Sequence, residues 1–256
     1  MVLRFKNNTI VIDEYSDGQP EQYIYYFDNA PSVIPKYAYI HIATLNNWFE
    51  LFQEIIERII SSGLYDNLKQ IRLGFLGSDQ NLERVQNYIA DKQKCVVHVR
   101  GTDLKAYERI TLHALRADAV NEDFYALYLH TKGVTKYGTV YYGPVKDWVD
   151  CMHHFTITRY QDTFKIFDTS SINATGCIYK RKPKHHYSGN IWWAKSSYIR
   201  TISNHIGSAY LDPEMWIMSG RGEFIVLYDS PEVGYKKRHP ANKYVDKPIE
   251  GTIIRI

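Results

Sequence analysis

The segment around His130 has the residue types that point most directly to chemistry. An apolar run at 125–129 is followed at once by His130, Thr131, Lys132 and Gly133. Lys132 would offer a positive charge to a phosphate, His130 a hydrogen-bond donor or a metal ligand, and Gly133 room for close approach of the backbone. A lone histidine is more often an ordinary hydrogen-bonded polar group, so the prediction of a phosphate-facing site depends on these residues together.

Two adjacent tryptophans form the second candidate, in the segment Gly189-Asn190-Ile191-Trp192-Trp193. Neighbouring side chains of an extended chain point to opposite faces, so one indole would line a cleft while the other packs in the core. A flat indole with a polar edge is suited to stacking on the apolar face of a sugar. The segment therefore predicts a sugar-binding surface, with two core tryptophans as the alternative. Its candidate residues are Gly189, Asn190, Trp192 and Trp193.

A base that activates a hydroxyl group would be a carboxylate close to these segments. Glu214 follows Asp212-Pro213, a pair that fits the start of a helix with Asp212 as its cap. We expect Glu214 to be the general base. A favourable charge at the positive end of a helix dipole explains the same glutamate equally well. Asp147 and Asp103 are further candidates for the base.

The first half of the chain alternates predicted strands with predicted helices, which is the order of an α/β sheet. Asn47 is predicted to cap the first helix and Gly63 to end it. The strands are predicted at 37–42, 71–77, 95–99 and 124–129, and the helices after the first three at 48–60, 82–89 and 107–119. In such sheets, ligands bind outside the carboxyl ends of the strands.

Small and polar residues follow all four of these strands. Polar turns are common at strand ends in any protein, and each turn alone is explained in that way. Their shared position along one edge of the sheet favours a surface that faces a ligand. Besides 130–133, the residues that we assign to binding a nucleotide are Ala43, Thr44, Asn46, Gly101 and Asp103.

The rest of the chain is less regular. Short strands are predicted at 9–13 and 23–27. The second half contains predicted helices at 146–158, 159–167, 196–202 and 213–218, strands at 175–179 and 223–228, a basic loop at 180–186, and a basic, extended stretch at 235–247. We see no linker, so a single domain is the simpler interpretation.

Composition excludes several classes of protein. The 256 residues are 45% hydrophobic, which excludes a disordered chain, and their net charge of +3 is too small to indicate nucleic-acid binding by itself. No apolar run reaches the roughly 20 residues of a membrane span, and the first residues lack the apolar core of a signal peptide. The three separated cysteines fit a reducing, cytoplasmic compartment, that of the host if the protein is viral. Aromatic residues reach 14%.

The sequence His130-Thr131-Lys132 after a strand, followed later by Gly189-Asn190 and the two tryptophans, resembles a group of bacterial and large-virus glycosyltransferases. This group includes the rhamnan-synthesis type that builds surface polysaccharides. The resemblance covers about 37–216 and implies a GT-A-like single domain. Its Rossmann-like nucleotide-sugar-binding half would span about 37–133, an irregular α+β acceptor half about 134–230, and a C-terminal extension 231–256.

One feature departs from the family pattern. Most GT-A enzymes hold a divalent metal with an Asp-x-Asp motif at the end of a central strand, and this chain contains no such motif. Lys132 would then offset the diphosphate charge without a metal, or His130 with a carboxylate from elsewhere would hold Mn²⁺ or Mg²⁺. We expect the metal to assist the leaving group, with metal-independence as the alternative.

The resemblance implies transfer of a sugar from a UDP- or GDP-sugar donor to a hydroxyl group of a glycan acceptor. A non-catalytic carbohydrate-binding module on a degenerate transferase fold is the alternative, because Asp-x-Asp is missing. Nucleic-acid binding through the basic stretches 180–186 and 235–243 is a weaker alternative, because such loops are usually only solvated. We therefore expect neither a nucleic-acid partner nor a membrane span.

Overall fold

The computed structural model describes residues 2–6, 9–16, 19–26, 33–234 and 236–256. The protein is a mixed α/β fold. Its strands are β1 Val2–Lys6, β2 Thr9–Ser16, β3 Gln19–Tyr26, β4 Lys36–Ala43, β5 Gln70–Leu76, β6 Cys95–Gly101, β7 Tyr125–His130, β8 Ala174–Cys177, β9 Tyr179–Lys180, β10 His186–Tyr187, β11 Trp192–Lys195, β12 Glu223–Tyr228 and β13 Glu250–Arg255. Its α-helices are α1 Trp48–Ser61, α2 Leu64–Asn67, α3 Asp79–Ile89, α4 Arg109–Asn121, α5 Tyr142–His153, α6 Tyr160–Thr169, α7 Ser196–Ile199 and α8 Asp212–Trp216.

Four parallel strands from the first half form one end of the large sheet, in the order β6-β5-β4-β7. In chain order this is 3-2-1-4, which is compatible with a Rossmann-like doubly wound sheet. The order of strands and helices along this half of the chain confirms the predicted alternation. The direction of winding reverses between β4 and β7. The carboxyl ends of these two strands therefore define a topological switch point.

Helices cover both faces of this parallel region. Phe52 of α1 and Val85 of α3 belong to the same buried apolar cluster as Ile40 of β4. Leu115 of α4 belongs to a second cluster, with Tyr39 of β4, on the other face. Each such buried apolar side chain contributes about 2 kcal/mol of transfer free energy. Because α1 follows β4 on one face and α4 precedes β7 on the other, the ends of β4 and β7 are the place where a doubly wound sheet binds its ligands.

The second half extends the same sheet with mostly antiparallel pairs. β11 lies between β7 and β8 and is antiparallel to both, whereas β12 is parallel to β8 and antiparallel to β13. β13 pairs with β1, and β1, β2 and β3 follow in antiparallel order. β9 and β10 form a separate hairpin around the predicted basic loop. One continuous sheet thus contains strands from before, within and after the predicted acceptor half at about 134–230.

Several elements differ from their predicted form. The predicted helix at 146–158 begins earlier, as α5, and ends in a π-helical segment, His154–Thr158. The side chain of Asn47 does not cap α1 but donates to the hydroxyl of Tyr142 at 2.9 Å. Asp212 is the first residue of α8 rather than its cap, and its carboxylate accepts a hydrogen bond from the Ala209 amide. The strands β1, β10, β11 and β13 are absent from the sequence-based expectation.

Two further predictions concern the chain as a whole. Within the described part of the chain, no helix combines the length and the apolar character that crossing a bilayer requires. The cysteines Cys95, Cys151 and Cys177 are buried and unpaired, as expected from their separation in the sequence. Residue 27 of the predicted strand 23–27 and Tyr235 at the start of the basic stretch lie outside the described residues.

Candidate functional site

The ends of β4 and β7 are joined by two hydrogen bonds at the switch point. The Thr131 amide donates to the carbonyl of His41 at 3.1 Å, and the Ala43 amide donates to the Thr131 hydroxyl at 3.4 Å. The chain leaves β7 immediately afterwards, so His130 and Lys132 stand at the edge where a doubly wound sheet binds its ligands. Two of the predicted donor-binding segments therefore lie side by side.

The turn Gly189–Asn190 connects residues that are far apart in the sequence. The Gly189 amide donates to the carboxylate of Glu214, and the Gly189 carbonyl accepts from Nε2 of His130 at 2.9 Å. Both turn residues have left-handed backbone, with φ of 103° at Gly189 and 53° at Asn190. A Cβ atom at Gly189 would lie 2.5 Å from the sulfur of Met152 and would require a φ that L side chains rarely adopt, so the position favours glycine. Three segments that sequence analysis proposed separately thus meet at one turn.

Glu108 is a central residue of this site that sequence analysis missed. Its carboxylate accepts hydrogen bonds from the Tyr128 hydroxyl at 2.9 Å and from the side-chain amide of Asn190, and lies 3.8 Å from Nδ1 of His130. Its side chain is only 18% exposed. Burial opposes ionisation, but the positive charges on His130 and His41, the hydrogen bond from Tyr128 and the charge of Lys132 together outweigh it, so that the pKa of Glu108 is lowered. A glutamate one residue before a helix is an ordinary choice, and this explains why its sequence position gave no signal.

Lys132 provides the positive charge of the site. Its ammonium group lies 4.4 Å from the ring centre of Trp148, which is a cation–π distance. Its positive charge contributes to lowering the pKa of Glu108, behind the histidines and the hydrogen bond from Tyr128. The site therefore combines one lysine, one histidine and the carboxylates of Glu108 and Glu214 within a single set of contacts.

Trp192 and Trp193 are both completely buried, in contrast to the expectation that one indole would line a cleft. They point to opposite faces of the sheet, as an extended strand requires, but helices cover both faces. The indole N–H of Trp192 donates to the Asn190 side-chain oxygen at 2.8 Å. Trp192 therefore positions the side-chain amide of Asn190, which donates to Glu108. Neither indole offers an open face to a sugar.

Asp147 is engaged elsewhere in the protein. Its carboxylate accepts two hydrogen bonds from the Arg238 guanidinium, at 2.6 and 2.9 Å, and one from the His239 amide at 2.8 Å. The hydrogen bond from Arg238 is the largest influence on the pKa of Asp147, which is lowered. Asp147 and His239 line a cavity of about 360 Å³ beside the C-terminal segment. These contacts fasten helix α5 to that segment and occupy both oxygens of the carboxylate.

The remaining predicted donor-binding residues lie along the same edge of the sheet. Gly77 and Gly101 approach closely, with the Gly77 amide donating to the Gly101 carbonyl at 3.0 Å. A Cβ atom at Gly77 would lie 2.5 Å from the Thr44 side chain, so Thr44 is packed against the β5 end. Asp103 is exposed and its carboxylate accepts from the Lys105 amide at 2.9 Å.

The loop after β7 is held by a second asparagine. Asn46, with φ of 49°, donates its side-chain amide to the Val134 carbonyl at 2.6 Å. Gly133 has φ of 102° and begins the short 3₁₀ turn that contains Val134. These contacts fix the course of the chain directly after Lys132.

Backbone strain is concentrated around this edge. In the described parts of the chain, four non-glycine residues have a left-handed φ, namely Asn46, Tyr107, Ile178 and Asn190. Tyr107 precedes Glu108, Asn190 contacts it, and Asn46 holds the β7 loop. Such conformations cost of the order of 1–3 kcal/mol each and cluster at functional sites. Three of the four residues therefore lie at the candidate site, whereas Ile178 follows β8.

The residues at this site do not form a metal site of their own. The described residues bring together no group of three His, Cys, Asp or Glu side chains that could hold an ion. Because a carbonyl oxygen only accepts, Nε2 of His130 carries a hydrogen that it donates to Gly189, and its Nδ1 faces Glu108. Nδ1 is therefore the nitrogen that faces a carboxylate, and the use of His130 as a ligand of Mn²⁺ or Mg²⁺ stays a prediction.

No protein-family model matches this chain, and no curated protein sequence matches it.

Proposed function

We propose that this protein is a glycosyltransferase that uses a nucleotide-sugar donor, with a GT-A-like arrangement of its active site. One observation carries the proposal: the Gly189–Asn190 turn gathers His130, Glu108 and Glu214 at the switch point of a Rossmann-like sheet, beside Lys132. A nucleotide is the ligand that such a switch point most often binds. A UDP- or GDP-sugar and a glycan hydroxyl group are the proposed substrates.

The proposed mechanism assigns separate tasks to the lysine and the carboxylates. The donor diphosphate faces Lys132, which offsets the negative charge that develops as the bond between the sugar and the diphosphate breaks. Glu214 accepts the proton of the acceptor hydroxyl while the acceptor oxygen bonds to the anomeric carbon. The nucleoside diphosphate leaves with the bonding electron pair. Glu108 binds no substrate in this proposal and holds Asn190, and through it the turn, in place.

The first test measures nucleotide binding by thermal unfolding with UDP, GDP, ADP or CMP, each with and without Mn²⁺. A ligand at 100 times its Kd adds about 2.7 kcal/mol to the stability of the folded state. We expect a shift of several degrees with UDP or GDP, since each kcal/mol raises Tm by about 2–4 °C in a domain of this size. Absence of any shift with all four nucleotides contradicts the proposal.

Two variants assign the roles. Lys132→Met keeps the apolar stem against Trp148 but removes the charge, and we expect it to weaken nucleotide binding by at least about tenfold. Lys69→Met is the matched control, because Lys69 pairs with Glu122 at the amino end of β5, the opposite edge of the sheet. Glu214→Gln retains an oxygen for the Gly189 amide and should bind nucleotide while losing transfer. Glycan binding without turnover of any sugar nucleotide in the unmodified protein would instead favour the non-catalytic module.

A further inference from the structure

A pair of aromatic side chains, one half-buried and one exposed, lies beside the proposed site. The rings of Tyr107 and Tyr210 meet edge to face, with centroids 5.2 Å apart and planes at 80°. Tyr210 is 63% exposed and the adjacent Leu211 is 46% exposed. Because both tryptophans of β11 are buried, Tyr210 is an aromatic side chain of this region that still offers surface to a ligand.

The pair is held rigidly by the start of α4. Arg109 donates to the carbonyls of Gly207 and Ala209, at 2.6 and 2.7 Å, and so fixes the loop that carries Tyr210. The carboxylate of Asp212 accepts from the Ala209 amide at 2.7 Å on the other side. Tyr107 itself has a left-handed φ of 48°, a conformation that the structure around it must maintain. A loop fastened at both ends presents its exposed ring at little entropic cost.

The Tyr107–Tyr210 pair lies close to the carboxylates of Glu108 and Glu214. Glu108 follows Tyr107 directly in the chain, and Glu214 lies in the helix that begins two residues after Tyr210. Partial burial, and after it the charges of Glu108 and Glu214, raise the pKa of Tyr210. A ligand stacked on the Tyr210 ring would therefore present its hydroxyl groups near Glu214.

We propose that Tyr210, supported by Tyr107, is the stacking platform for the acceptor sugar. The inference rests on the proposed function, because it places the acceptor hydroxyl beside Glu214 as the base. Sugars carry an apolar face of C–H groups that packs on an aromatic ring, while their hydroxyl groups remain free for polar partners. The Tyr210 ring selects a pyranose ring by shape, and Glu214 selects which hydroxyl group reacts.

The experiment separates acceptor binding from donor binding. Saturation-transfer NMR measures the binding of the methyl glycosides of glucose, mannose and rhamnose, and of cellotetraose, to the unmodified protein and to variants. We expect at least one of these probes to bind, Tyr210→Ala to bind it about tenfold more weakly, and Tyr210→Phe to bind it nearly as well, because stacking needs the ring and not the hydroxyl. Leu211→Ala is the matched control, since it removes an exposed apolar side chain of the same loop without an aromatic ring.

Nucleotide-induced thermal shifts are measured on the same variants and are expected to stay unchanged in Tyr210→Ala. The acceptor assignment is overturned if no probe sugar binds, or if Tyr210→Ala binds sugars as well as the unmodified protein does. It is also overturned if Tyr210→Ala loses the nucleotide shift, because the ring would then stack on the nucleobase. A failure of the proposed function itself looks different, since the unmodified protein would then show no nucleotide shift.

Discussion

The side-chain amide of Asn190 donates a hydrogen bond to the carboxylate of Glu108, which lies 82 residues earlier in the chain. The oxygen of the same amide accepts from the buried indole of Trp192. The orientation of the asparagine is thus fixed, with its oxygen toward Trp192 and its NH₂ group toward Glu108. A buried tryptophan thereby determines which group faces the carboxylate of the candidate site.

This relationship predicts that Glu108→Gln relieves the cost of Asn190→Asp. Asn190→Asp alone places two carboxylates together and should lose about 1–3 kcal/mol of unfolding free energy, whereas Glu108→Gln alone keeps an oxygen that accepts from Asn190 and loses only the charge of the acceptor. In the double variant, the new amide at position 108 would donate to the new carboxylate at position 190, which still accepts from Trp192. We expect a coupling free energy of at least about 1 kcal/mol in urea unfolding. Losses that add within about 0.5 kcal/mol would contradict a direct contact.

The parallel half of the fold was predictable from local sequence, because each strand is a short apolar run between segments whose apolar residues recur at helical spacing. The segments at 71–77 and 124–129 were therefore located to within a few residues of β5 and β7. β11 was not, because its four residues Trp-Trp-Ala-Lys show no alternation, and neighbouring strands on both sides bury it. Tertiary pairing creates this strand.

The candidate site was predictable only in part for a related reason. His130, Lys132, Gly189 and Glu214 have chemistry or backbone requirements that are visible in sequence, and the structure brings them together. Glu108 became visible only when β7 and the Gly189–Asn190 turn were placed around it. The open aromatic surface was likewise misassigned to Trp192 and Trp193, because sequence alone does not show which aromatic rings are covered.

A variant of Asp147 tests whether this carboxylate stabilises the fold or acts as the catalytic base. Asp147→Asn weakens three hydrogen bonds to Arg238 and His239, so we expect a loss of about 1–2 kcal/mol of unfolding free energy. The carboxylate stabilises the folded state above the ordinary aspartate pKa, and this contribution disappears as pH falls through the lowered pKa in the folded protein. Urea unfolding at neutral and acidic pH measures both effects. Loss of sugar transfer at unchanged stability would return Asp147 to the role of base.

Gly74 has no side chain, and the side chain of Thr111 fills the space beside it, next to His41. A Cβ atom at Gly74 would lie 1.8 Å from the Thr111 hydroxyl, which makes a 2.8 Å hydrogen bond with Nδ1 of His41. Gly74→Ala should therefore cost about 1–3 kcal/mol by overpacking, measured by urea unfolding. The double variant Gly74→Ala/Thr111→Ala should lose less than the two single variants together, because the methyl group then has room. Strict additivity would show that the clash is relieved in another way.

His41 predicts how the stability of the protein responds to acid. Burial, with a smaller opposing effect from Glu108 and a smaller reinforcing one from His130, lowers the pKa of His41 to about 4. Its Nδ1 bonds to Thr111, whereas its Nε2 is buried without a hydrogen-bond partner in the described structure. Below the ordinary histidine pKa of about 6.5, the unfolded chain therefore binds a proton that the folded protein excludes. Stability is fully present above that pH and falls as pH decreases toward 4.

The expected slope from this one group is about 1.4 kcal/mol per pH unit between those two pKa values. His41→Gln replaces the imidazole by an amide that can still bond to Thr111 but binds no proton. The unfolding free energy of this variant should therefore depend less on pH than that of the unmodified protein. His205→Gln, at an exposed histidine, is the control for the substitution itself. Urea unfolding at pH 7.5, 6 and 5 measures all three proteins. Parallel pH profiles for the unmodified protein and His41→Gln would show that His41 does not titrate on unfolding, and that the acid sensitivity arises from the other buried histidines, such as His153.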